Sequence, residues 1–99
     1  MEFDWNSGNR ARAIRHGLSI DEIEGFFRLG PKVAPDVAHS VAEQRFIAVG
    51  PTPSGRMAFV AFCWRAGRIR PISARYMHER EVRRHAVKTT NLGSGDDNR

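Results

Sequence analysis

Residues 57–64 read Met-Ala-Phe-Val-Ala-Phe-Cys-Trp, eight apolar residues without a charge. Gly55 lies before the run and Ala66-Gly67 behind it, so it is bounded by turns. A strand is pleated with a period of two. That places Ala58, Val60, Phe62 and Trp64 on one face, and Met57, Phe59, Ala61 and Cys63 on the other. A strand apolar on both faces must be central and covered on both sides. The rest of the fold has to be built around it.

The neighbouring strands follow. Arg45–Val49 is predicted as a strand, joined to the central one by the turn Gly50-Pro51-Thr52-Pro53-Ser54-Gly55. Arg68–Arg75 is predicted as the next strand after Ala66-Gly67, and Pro71 inside it implies an edge position or a bulge. Regular alternation would put Pro71, Ser73 and Arg75 on one face and Arg70, Ile72 and Ala74 on the other. Lys32-Val33-Ala34 is a candidate short strand, and Phe3-Asp4-Trp5 an extended start.

Helices flank the strands. Ser19 and Glu22 form a capping box, with Leu18 and Ile23 as its hydrophobic staple. The helix carries Ile23, Phe26 and Phe27 at helical spacing and stops at Gly30-Pro31. A shorter helix is predicted over Asn9–His16, with Ala11, Ala13 and Ile14 inward and Gly17 at its C′ position. Residues 77–87 read as a charged C-terminal helix with Met77, Val82 and Ala86 as its apolar stripe. The expected architecture is α+β. It is a two-layer sandwich with an antiparallel sheet of three to five strands, an N-terminal helical hairpin and a C-terminal helix, in the order β-α-α-β-β-β-α. With 99 residues the chain makes one domain over 1–88, and 89–99, lacking periodicity, reads as a disordered tail.

Charge points to an anionic partner. The net charge is +5, and nearly all the basic residues are Arg, which grips phosphate in a planar fork. From Arg65 to Lys88 there are eight basic and two acidic residues, leaving the remainder of the chain at −1. Codon bias toward Arg is the plainer explanation. One cysteine, Cys63, excludes an intrachain disulfide and a Cys-rich zinc module. His16, His39, His78 and His85 show no metal-ligand spacing, so neither a metal nor another cofactor is expected. No run reaches the roughly 18 apolar residues of a membrane span. Met1-Glu2-Phe3-Asp4 lacks the pattern of a secretory signal, which predicts a cytoplasmic protein with no membrane association.

Asp36, His39, Glu43 and Arg45 fall within ten residues, and Arg70, Ser73 and Arg75 on one strand. Cleaving RNA without a metal needs a base for the 2′-hydroxyl, cations for the phosphorane and an acid for the 5′-oxygen. His39, Glu43, Arg45 and Arg75 are of the right types. The competing reading makes Glu43 and Arg45 a surface ion pair and His39 a loop cap. His16 has two readings, partner of a helix C-terminal dipole or site residue. Tyr76 also has two, a stacking platform for a base or the start of the helix. Trp5, Trp64 and the Phe residues are assigned to the core.

An ordered set of motifs carries a resemblance. It comprises Phe3-Asp4-Trp5, then Arg15-His16-Gly17-Leu18-Ser19 with Glu22, then the segment from Asp36 to Arg45, then Gly55-Arg56. The last piece is Ile69-Arg70-Pro71-Ile72-Ser73-Ala74-Arg75-Tyr76-Met77 with Glu81. In this order the chain resembles the BrnT family of toxins. The resemblance implies a RelE-like fold and a ribonuclease toxin of a type II toxin–antitoxin pair that cleaves RNA to arrest growth. It also implies a BrnA-like antitoxin with a ribbon-helix-helix-like DNA-binding part, and a hetero-oligomer of the two. Carried over by position, it marks His39, Glu43, Arg45, Arg70, Ser73 and Arg75 as site residues. The chain departs from the family pattern at Asn6 and Asn9, where a Lys often opens the first helix, with Arg10 and Arg12 as candidate replacements in phosphate binding, and at His85, where Tyr is common. The alternative function is a non-catalytic module that binds RNA or an antitoxin.

Overall fold

The computed structural model describes residues 1–85. The expected tail over 89–99 lies outside the described residues.

Asn6 opens the first helix, α1 (Ser7–Ala13), through a reciprocal box in which Asn6 Oδ1 accepts from Asn9 N and Asn9 Oδ1 accepts from Asn6 N. The expected span Asn9–His16 is therefore corrected at both ends. An Asn-Asn box starts it two residues earlier, and Ala13 rather than His16 ends it. Asn9 and Ala13 are its buried residues, while Ala11 and Ile14 face solvent. Gly17, at φ +107°, makes the turn between the helices rather than the C′ position.

The second helix, α2 (Ile20–Arg28), begins where Ser19 Oγ accepts from Glu22 N at 3.0 Å. Only that half of the expected box forms, because the Glu22 carboxylate turns outward to Tyr76 and Ser54. Ile23, Phe26 and Phe27 are buried as their spacing requires.

Four strands form one antiparallel sheet in chain order: β1 (Lys32–Pro35), β2 (Phe46–Pro51), β3 (Met57–Arg65) and β4 (Arg68–Tyr76). β3 lies between β2 and β4, the interior place its composition demanded. The β3–β4 hairpin turns on two residues at positive φ, Ala66 at +54° and Gly67 at +76°. That is the geometry two-residue hairpin loops favour, with Ala66 bearing the steric cost of a Cβ. β1 is exposed throughout and is a full strand. The extended start contributes only one parallel bridge, Phe3 to Ile69, along the outer edge of β4. The backbone is helical again over 79–85.

The core lies on one side of the sheet. Ala13, Leu18, Ile23, Phe26 and Phe27 pack on Ala48, Ala58, Val60, Phe62, Ile69 and Ala74. Phe27 meets Phe26 and Phe62 edge-on at 5.2 and 5.1 Å between ring centres. Each buried Phe contributes about 1.5–3 kcal/mol by removal from water. Trp64, expected in the core, is 52% exposed, one residue before the end of β3. No helix among the described residues is long and apolar enough to cross a membrane.

Candidate active site

The site is built on the side of the sheet away from α2. Opposite Phe62 stands Pro71, and opposite Ala61 stands Ser73, so Ile72 is an extra residue in β4. This bulge is the irregularity Pro71 implied, and β4 is also the edge strand. It overturns the face assignment expected from regular alternation. Pro71 and Ala74 both turn into the core, opposite Phe62 and Val60. Arg70, Ser73 and Arg75 then share the open face, opposite Cys63, Ala61 and Phe59.

Above Cys63 and Arg70 the segment between β1 and β2 folds over the sheet. Asp36 N donates to Arg45 O at 2.8 Å, closing the segment at its ends. Inside it Ser40 Oγ donates to Asp36 O and accepts from Arg45 N, at 2.8 and 2.9 Å. A 3₁₀ turn, Val37–His39, brings the imidazole back to its own start. His39 Nδ1 lies 2.9 and 3.1 Å from the two oxygens of Asp36. The result is a cleft of about 510 Å³ lined by His39, Glu43, Arg45, Cys63, Arg65, Arg70 and Arg12, among others.

Four guanidinium groups line this cleft. Arg70 is held by Asp4 at 3.2 Å and Arg65 by Glu43 at 3.0 Å. Glu43 therefore pairs with Arg65, not with Arg45 as a surface pair would require. The Arg45 Nε is buried and has no hydrogen-bond partner among the described residues. A buried donor without a partner is costly, so the rest of the guanidinium is what Arg45 presents to the cleft. Burial raises the pKa of the Cys63 thiol above its usual value, and the nearby Glu43 carboxylate adds to the effect. The thiol thus stays protonated and is a poor nucleophile.

Ser73 and Arg75 stand further along the same face, in a neighbouring hollow of about 330 Å³ with Ile47, Phe59 and Ala61. Phe59 and Cys63 are four residues apart on β3, so the Arg75 and Arg70 rows are separated by roughly 13 Å. Arg75 lies on the same face of the sheet as Arg70 but does not line the cleft that holds His39. Its guanidinium lies 4.6 Å from the Phe59 ring centre and binds Glu81 in a fork, at 3.0 and 2.9 Å. The Arg75 fork, helped by the His78 backbone N–H, holds the Glu81 carboxyl at about 2.

Tyr76 and His16 are not brought to this face. Tyr76 pairs with Ala58 and packs on the core side. Its hydroxyl donates to Glu22, and Arg56 covers its ring at 3.7 Å. The hydrogen bond from Tyr76 lowers the Glu22 pKa below the usual carboxyl value against the opposing effect of burial, with Ser54 helping. The tyrosine ends β4 rather than starting a helix, and its hydroxyl ties β4 to α2. His16 is exposed beyond the end of α1, outside the last turn where a helix dipole acts.

Arg65 is a cleft residue that sequence reasoning did not select, and Arg12 one that it named only as a stand-in for the Lys of the family's first helix. Arg65 shares the two-residue period of Ala61 and Cys63, a signal that was there to use. Arg12 reaches the cleft only because α1 packs beside β4, which no local pattern encodes. Among the described residues no three of His, Cys, Asp and Glu gather in a way that would hold a metal ion.

No curated protein and no solved structure gives a significant match to the chain. One family does, described as ribonuclease toxin, BrnT, of type II toxin-antitoxin system, and it matches residues 5–81. The match runs from Trp5, ahead of α1, through the whole sheet to Glu81, the partner of Arg75. With most of its length covered in this way, the chain belongs to the BrnT family of ribonuclease toxins of type II toxin–antitoxin systems.

Proposed function

We propose that the chain is a metal-independent endoribonuclease whose centre is the cleft between the Asp36–Arg45 segment and Arg70. The observation that carries this reading is the meeting of His39, Arg45 and Arg70 in one cleft. His39 is two-thirds exposed and acts as the base. It takes the proton of a ribose 2′-hydroxyl as the 2′-oxygen forms its bond to phosphorus. Arg45 and Arg70 stabilise the charge that builds on the phosphoryl oxygens, with Arg12 and Arg65 on the rim. The bond to the 5′-oxygen breaks, and that oxygen takes a proton from water in the open cleft. The products are a 2′,3′-cyclic phosphate and a 5′-hydroxyl. Glu43 holds Arg65 in place. Ser73 and Arg75 extend the binding ledge to the next part of the backbone. A single domain over 1–88 does this work, in the cytoplasm.

A BrnA-like antitoxin with a ribbon-helix-helix-like DNA-binding part neutralises the toxin in a hetero-oligomer. Membership of a type II toxin–antitoxin family supports this part of the reading.

Purified protein incubated with RNA in excess EDTA tests the chemistry. Fragments ending in cyclic phosphate are expected, together with growth arrest when the protein is induced in a bacterium. Salt-dependent RNA binding without scission would instead support the non-catalytic module. Cleavage that EDTA abolishes would overturn metal independence.

A further inference from the structure

We propose that Asp36 is a positioning residue for His39, fixing the ring with its proton on Nδ1 so that Nε2 offers its lone pair to the cleft. The inference rests on the assignment of His39 as base and names what sets its tautomer.

Both Asp36 oxygens lie within 3.1 Å of His39 Nδ1. An ionised carboxylate only accepts, so Nδ1 must donate. In the neutral ring Nε2 then has no proton and is the basic atom. Neutral imidazole in water favours the other tautomer, with the proton on Nε2, which could not accept one from a ribose. The Asp36 carboxylate therefore selects the form the reaction needs. It also stabilises the imidazolium that forms when the proton arrives, without itself being protonated.

Burial divides the pair in the same sense. The Asp36 side chain is 15% exposed and that of His39 66%. The fixed partner is the enclosed one, and the ring's far edge is open. The Asp36 carboxylate has no structural task that competes. Its backbone N–H and carbonyl are satisfied by Arg45 and Ser40. Among the described residues its carboxylate oxygens hydrogen-bond His39 alone. Removing the carboxylate leaves the ties that close the segment intact.

The test uses the full chain labelled with ¹⁵N, reading the histidine ring nitrogens by long-range proton–nitrogen correlation at alkaline pH. Loss of signals in His39→Gln assigns the ring. The expected wild-type pattern is a protonated Nδ1 and an unprotonated Nε2, and in Asp36→Ala the protonated position moves to Nε2. Alongside, kcat for RNA cleavage falls on the order of 10- to 100-fold in Asp36→Ala with KM little changed. Asp36→Asn keeps the shape of the side chain, guards against a folding defect, and falls similarly; Asp36→Glu recovers part of the rate. A wild-type ring protonated on Nε2, or a pattern unmoved in Asp36→Ala, overturns the proposal. So does a tautomer that moves while kcat stays at the wild-type value. If the wild type cleaves no RNA at all, the assignment of His39 as base fails, and the nitrogen pattern still decides the tautomer.

Discussion

Replacing Tyr76 by Phe separates an RNA-binding tyrosine from a structural one. The substitution deletes one oxygen and keeps the ring under Arg56. What is lost is a hydrogen bond from the hydroxyl to the Glu22 carboxylate, an acceptor that bears a charge. Such bonds contribute about 1.5–3 kcal/mol when buried. Glu22 is only part-buried and keeps Ser54 at 2.9 Å, so the lower end applies, about 1.5 kcal/mol. For a domain of this size that lowers the melting temperature by roughly 6–12 °C. The pH dependence gives a second signature. Tyr76 lowers the Glu22 carboxyl below its ordinary 4.5, so the contribution is fully present above that value. It is lost as pH falls through the lowered folded-state value. The gap between wild type and Tyr76→Phe should therefore be widest near neutrality and close in acid. Calorimetry across pH, paired with RNA binding, checks both. An unchanged melting temperature with weakened RNA binding would refute the reasoning and return Tyr76 to the RNA site.

Three further substitutions probe the scaffold. Gly25→Ala places a Cβ 2.5 Å from Pro53 Cγ, in the rigid β2–β3 turn. Urea unfolding should show a loss of about 1–3 kcal/mol from overpacking. Asn9→Ala removes the buried amide that donates to the carbonyls of Asp4 and Pro71, at 2.9 and 3.0 Å, and the half of the α1 box in which Asn9 Oδ1 accepts from Asn6 N. Equilibrium unfolding should register about 2–3 kcal/mol, since two enclosed carbonyls lose a donor. Glu81, at about 2 against an ordinary 4.5, adds stability above 4.5 that drains away as pH falls toward 2. Glu81→Gln should flatten the acid limb of the wild-type stability curve between those values; an unchanged limb would remove the Arg75–Glu81 fork as its source.

Periodicity and end signals made much of the scaffold legible. The two-faced run 57–64 required an interior strand, and β3 occupies it. Ile23, Phe26 and Phe27 named the buried face of α2. Pro71 announced an edge or a bulge, and β4 has both. What stayed hidden depends on contacts between distant segments. One extra residue at Ile72 reverses the faces of everything after it, so alternation misplaced Arg70 relative to Ser73 and Arg75. The Glu22 side chain had a local partner in Ser19 and a remote one in Tyr76, and the remote one won. For the site, Asp36, His39 and Arg45 were legible because one short segment carries them all. Arg70 joins them across the sheet, where the ordered family motifs pointed. Arg12 arrives from α1 by packing alone.

The proposed chemistry requires His39 to stand at the reacting phosphate. Single-turnover cleavage of RNA by wild type and His39→Gln, both confirmed folded by their melting curves, measures this directly. Loss of a general base predicts a rate lower by about 10²–10⁴-fold with RNA affinity little changed. Cleavage by the variant at the wild-type rate would place the chemistry elsewhere on the molecule.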